Sequence, residues 1–129
     1  MNKHSKLYYW LPAIIWMIII FCFSARPAVT ASGIDWQDFI IKKSAHFIEY
    51  FILTWLLTYS FMKTTGYTFQ KILIYSVLIA VLFAVSDEVH QLFVSGRTST
   101  VRDVLIDSTG SLVGYYFLRK KLILDITKL

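Results

Sequence analysis

Cysteine is almost missing from this chain: Cys22 is the only one in 129 residues. A lone cysteine cannot form an internal disulfide, which excludes both a disulfide framework and a cysteine-rich zinc module. Charge is scarce as well. Charged residues make up 16% of the chain, whereas soluble domains typically carry about 25%. No segment alternates with period two over a useful length, so strands are not expected. Internal repeats, low-complexity tracts and linkers are absent from the sequence.

What the chain has instead is apolar bulk. Hydrophobic residues are 57%, aromatics 17%, and mean hydropathy is +0.59. These values exclude disorder, because disordered chains are polar and poor in aromatics. The length fits one domain, residues 1–129.

The apolar residues fall in four runs. A span needs about 20 mostly apolar residues to cross the hydrocarbon of a bilayer. The runs predict an all-α, polytopic membrane bundle of four transmembrane helices, at about 7–23, 40–62, 71–94 and 102–118. The first run follows Lys3 and Lys6, as a signal peptide would. Its apolar stretch is longer than the usual ~7–15 residues of such a core, and it contains Trp10, Pro12 and Trp16. A retained anchor is therefore expected. Pro27, Ser32 and Gly33 punctuate the first connection, and Trp36 is an interface-type aromatic there. Thr100 and Asp103 have capping-box spacing ahead of the fourth run.

Basic residues are distributed unevenly. With four spans, Lys3, Lys6, Lys63, Lys71, Arg119, Lys120, Lys121 and Lys128 collect on the side of the termini, with Asp125 as the one acid. Arg26, Lys42, Lys43, Arg97 and Arg102 lie opposite, together with the other acids. The positive-inside rule then places both termini in the cytoplasm. The net charge of +5 reads as topology and attraction to anionic lipid. No solvated basic face is visible, so nucleic acid is not an expected partner. His4 reads as a tail residue, and Tyr8, Tyr9, Trp10, Tyr115 and Tyr116 as interfacial anchors.

Ionisable residues within spans are costly and normally face the bundle interior or a water-filled cavity. At about 100° per residue, Lys42, Lys43, His46, Glu49 and Tyr50 share an arc of about 120° on the second helix. Asp87, Glu88, His90 and Gln91 span about 160° of the third, and Asp103, Asp107, Gly110 and Gly114 about 60° of the fourth. The first helix carries no such residue. Three polar faces can therefore meet in the outer half of the bilayer. They predict an outward-facing pocket with Glu49 and Asp107 at its floor and Arg97 and Arg102 at its mouth. Gly110-x-x-x-Gly114 is a small-residue pattern that suits close helix packing.

The motifs on these faces resemble a known family. Lys43-Ser44-Ala45-His46-Phe47-Ile48-Glu49-Tyr50-Phe51 is similar to the first signature of the VanZ-like membrane proteins. Ser86-Asp87-Glu88-Val89-His90-Gln91-Leu92-Phe93 with Gly96-Arg97 resembles the second, and Asp103 to Gly114 the third. Asp107 departs from the pattern, standing where many members carry asparagine. The resemblance implies an integral protein of the bacterial cell envelope and a link to teicoplanin and related lipoglycopeptides, but it supplies no reaction.

Three uses of the pocket follow. It can bind a lipid-linked or cell-wall-related anionic molecule through Lys43, His46, Glu49, Tyr50, Asp87, Glu88, His90, Gln91, Arg97, Arg102, Asp103 and Asp107. It can be an intramembrane enzyme, acid–base or metal-assisted, with His46, Glu49, Asp87, Glu88 and His90 as candidate catalytic groups. It can be a stabilising polar network in an assembly partner. Ser86 is the best hydroxyl nucleophile. No cofactor and no metal are expected, because the basic residues nearby oppose a cation. His46, Glu49, Asp87 and His90 are the residues that would hold an ion if one bound.

Overall fold

The computed structural model describes residues 3–27 and 33–127, and the side chains of 6–27, 33, 34 and 36–123 within them. Ser32, Lys128 and the side chains of Lys3, His4 and Asp125 lie outside this set. The described residues form four helices and no strand: α1 (Lys3–Ser24), α2 (Asp35–Thr64), α3 (Phe69–Gln91) and α4 (Val101–Thr127).

The helix ends differ from the ends of the apolar runs, because charge stops a hydrophobic run without breaking a helix. α2 starts five residues before the second run, at the first position clear of Gly33, whose φ is +72°. This adds a turn that carries Asp38, which is buried. α4 continues through Arg119, Lys120 and Lys121, which are good helix formers, and no glycine or proline stops it. α3 ends at Gln91. Leu92, Phe93 and Val94 then donate to the carbonyls of Val89, His90 and Gln91, a tightened last turn that leads into Gly96 with φ +73°. α4 begins right after Thr100, but the Asp103 carboxylate turns to Lys43 instead of completing a capping box.

α2 is the central helix and packs against the other three, most extensively α4. α1 lies antiparallel to it. Trp10 Nε1 donates to Thr64 Oγ1 at 3.3 Å, and Ser60 Oγ donates to the Tyr9 carbonyl at 2.8 Å. The second bond sits beside the carbonyl of Tyr8, which Pro12 leaves without its helical donor. α4 runs parallel to α2 and very close to it. A Cβ at Gly110 would fall within the radius of the Phe47 carbonyl oxygen, and one at Gly114 would lie 3.2 Å from that of Phe51.

The core holds Ile20, Tyr50, Leu53, Leu57, Ile72 and Leu73, but along α4, and along α3 beyond Leu73, burial is the reverse of a water-soluble bundle, whose inward stripes are large and apolar. On α4 the buried positions are Asp103, Asp107, Gly110, Ser111 and Gly114, while Leu105, Leu112, Tyr116 and Phe117 are exposed. On α3 Ser76, Ala80, Ala84 and Asp87 are buried and Leu78, Leu82, Val85 and Val89 are exposed. Small residues inside and large apolar ones outside is the pattern of helices packed in lipid. Two helices, α1 from Lys6 and α3, are long and apolar enough to cross a membrane.

The close approach predicts a graded response. Gly110→Ala must displace backbone, at a cost of about 1–3 kcal/mol by analogy with overpacked cores. Gly114→Ala meets a looser site. Thermal unfolding in detergent should show the larger loss for Gly110→Ala; equal, negligible losses would contradict the packing described here.

Candidate functional site

The last turns of α1 and α3 and the first turns of α2 and α4 gather at one end of the bundle. Nearly all the polar residues singled out in the sequence are there. α2 and α4 hold them in register. Lys43 Nζ lies 2.6 Å from Asp103 Oδ1, and one turn further His46 Nδ1 lies 3.5 Å from Asp107 Oδ1. The Phe47–Gly110 contact comes next. The spacing of the Gly motif thus delivers each basic group to an acid on the neighbouring helix.

Two cavities open between these residues. One, of about 230 Å³, is lined by Asp38, Lys42, Lys43, His46, Arg97, Arg102 and Asp103, with Phe39, Gln91, Gly96 and Thr98. The other, of about 340 Å³, is lined by Phe23, Lys42, Ala45, His46, Glu49 and Arg97. Lys42, His46 and Arg97 belong to both. Phe39 serves as a platform in the first: the Arg102 guanidinium stands 4.8 Å and the Lys43 ammonium 5.8 Å from its ring centre.

Other predicted residues link helices. Ser24 Oγ, at the end of α1, donates to Asp87 Oδ2 at 2.6 Å, and Gln91 Nε2 donates to the same oxygen at 3.0 Å. Arg97 reaches back across the turn. Its Nη2 donates to the Phe23 carbonyl and its Nε to the Arg26 carbonyl, both at 3.0 Å. Arg97 therefore satisfies carbonyls that the end of α1 leaves without helical donors. Glu88 Oε2 accepts from Ser99 Oγ at 2.7 Å.

His90 points elsewhere. Its ring packs on Phe21 of α1, with centres 4.2 Å apart, and it lines neither polar cavity. Tyr50 is fully buried among Leu53, Leu57, Ala80 and Ala84, with Phe83 beside it. Ser86 is exposed, so the hydroxyl named as the best nucleophile is not at the site, and Cys22 is exposed as well. Among the described residues, the cluster that brings three possible metal donors within 4.8 Å of one another is His46, Glu88 and Asp107. It shares only His46 with the set expected from sequence, because Asp87 is turned to Ser24 and His90 to Phe21.

Sequence reasoning missed Ser24, Ser99 and Asp38. Ser24, one residue past the first apolar run, extends α1 and is buried against Asp87. A serine at the end of an apolar run gives no periodic signal.

The VanZ/LLP1 family model matches residues 9–124. The chain belongs to the VanZ/LLP1 family. No curated protein and no solved structure matches it. The motifs that carried the resemblance to this family supply the polar end: Lys43, His46 and Glu49 from the first, Asp87, Glu88 and Gln91 from the second, Asp103 and Asp107 from the third.

Removing the Ser24 hydroxyl leaves a buried carboxylate one donor short. Polar contacts between membrane helices average ~0.6 kcal/mol, and a donor to a charged group is worth about 1.5–3 kcal/mol. Ser24→Ala should lower the unfolding temperature in detergent, whereas Ser86→Ala, on the exposed face, should not.

Proposed function

We propose that this VanZ/LLP1 protein is a four-span protein of the bacterial cytoplasmic membrane, with both termini in the cytoplasm. Its cavity at the polar end takes an anionic, lipid-linked or cell-wall-related molecule. One observation carries this reading. The polar cavity between α2, α4 and the α3–α4 turn has an apolar cleft as its neighbour, with Phe39 and Lys43 lining both. The cleft runs along Ile40, Phe47, Ile48 and Ile106 on the outer face of α2 and α4. Four cations, Lys42, Lys43, Arg97 and Arg102, against two acids, Asp38 and Asp103, favour an anionic head group in the cavity. The adjoining cleft suits a hydrocarbon tail.

The four-span topology is supported by the inverted burial of α3 and α4 and by the asymmetry of basic residues. Asp103, Asp107, Glu88 and His46 face inward, where a span can tolerate them. Retention of the ligand at the outer leaflet is the route by which such a protein contributes to teicoplanin tolerance.

Alkaline phosphatase fused after Gly96 should be active and after Lys63 inactive; the same signal from both positions would overturn the topology. Expression in a susceptible bacterium should raise the inhibitory teicoplanin concentration. Lys42→Gln and Arg102→Gln, which remove head-group cations and between helices cost only the Arg102–Phe39 ring contact, should return it towards the control at equal membrane levels. Full protection by the double variant would remove the cavity from the mechanism.

A further inference from the structure

Most charged groups at the polar end are matched. Lys43 is on Asp103, Asp87 is on Ser24 and Gln91, and Arg97 is on the carbonyls of α1. His46 of α2, Glu88 of α3 and Asp107 of α4 are less fully matched: Glu88 accepts from Ser99 Oγ, and His46 and Asp107 have only their own 3.5 Å approach. Their exposures are 9%, 3% and 1%. One donor atom from each lies within 4.8 Å of the other two. Asp107 Oδ2 and His46 Nδ1 have no hydrogen-bond partner among the described residues. The 3.5 Å between His46 Nδ1 and Asp107 Oδ1 is long for a hydrogen bond. Two carboxylates buried this close together are costly to keep charged, and either a shared proton or a bound cation relieves that cost.

We infer that His46, Glu88 and Asp107, converging from three helices, form a site for one divalent cation of the zinc class. One imidazole and two carboxylates are donors that zinc accepts, at about 2.0–2.2 Å each. The three atoms must close by about 1 Å to reach that geometry, within the reach of side-chain torsions. Three protein ligands leave a coordination position open, and His46 places it beside the polar cavity that it lines. The Ser99 hydroxyl on Glu88 Oε2 is the outer-shell contact that fixes a ligating carboxylate. Of the basic neighbours that oppose a cation in the sequence, Lys43 is engaged by Asp103 and Arg97 by the end of α1, while Lys42 and Arg102 line the cavity. The site stands independently of the anionic ligand proposed for the cavity.

The test uses the whole chain in detergent, stripped with chelator, dialysed against Zn²⁺ alone and assayed for metal by mass spectrometry. The expected result is one zinc per chain. Asp107→Asn and Glu88→Gln should each weaken retention at least tenfold, and His90→Ala, whose ring packs on Phe21, should retain it. Less than a tenth of a zinc per wild-type chain overturns the site, as does undiminished retention by Asp107→Asn. If a variant is not monodisperse, Co²⁺ titration of the wild-type chain decides: saturation of visible ligand-field bands at one equivalent supports the site, and their absence overturns it.

Discussion

The approach of α4 to the backbone of α2 at Gly110 sets the geometry on which the polar end depends. With no side chain at Gly110 or Gly114, the two parallel helices meet at the carbonyls of Phe47 and Phe51. Side chains one and two turns before that contact are then brought together in fixed register. Lys43 reaches Asp103, and His46 comes beside Asp107. A helix pair spaced by leucines would hold these groups apart, and buried acids would lack both the ammonium and the imidazole. The glycines are therefore as much a part of the site as the charges.

The polar residues divide into two groups by what they touch. Ser24, Asp87, Gln91 and Arg97 fasten α1 to α3 and to the turn after it. Lys42, Lys43, His46, Arg102 and Asp103 surround open space. Glu88 and Asp107 lie behind them, against His46. Part of the network thus has the stabilising role that any buried set of hydrogen bonds would have, and it leaves a smaller set of groups facing the cavities.

The sequence is legible where direction within a single helix decides the outcome. Period and spacing put Asp103, Asp107, Gly110 and Gly114 on one face of α4, and that face is buried. The four helices and the absence of strands among the described residues follow from the apolar runs. What the sequence does not carry is the rotation of one helix about its axis relative to another. His90 shares a broad polar arc with Asp87 and Gln91, yet Phe21 of α1 takes it out of the cavity. Ser24, Ser99 and Asp38 sit at helix ends and in a turn, where a polar residue is unremarkable until the neighbour across the bundle is known. The start of α2 and the end of α4 are obscured for a related reason: Asp35, Gln37 and Asp38 before the one run, and Arg119, Lys120 and Lys121 after the other, interrupt hydrophobicity without breaking a helix.

The contacts that close the polar end join distant parts of the chain. Ser24 and Asp87 are 63 positions apart, and Phe23 and Arg97 are 74. The partner of Lys43 arrives with α4, the last helix to be made. Until then α2 presents Lys43 and His46 without their acids. Folding is slow where pairing is this non-local. The polar end is therefore complete only once α4 is in place, and a chain that stops before residue 107 lacks the acid beside His46.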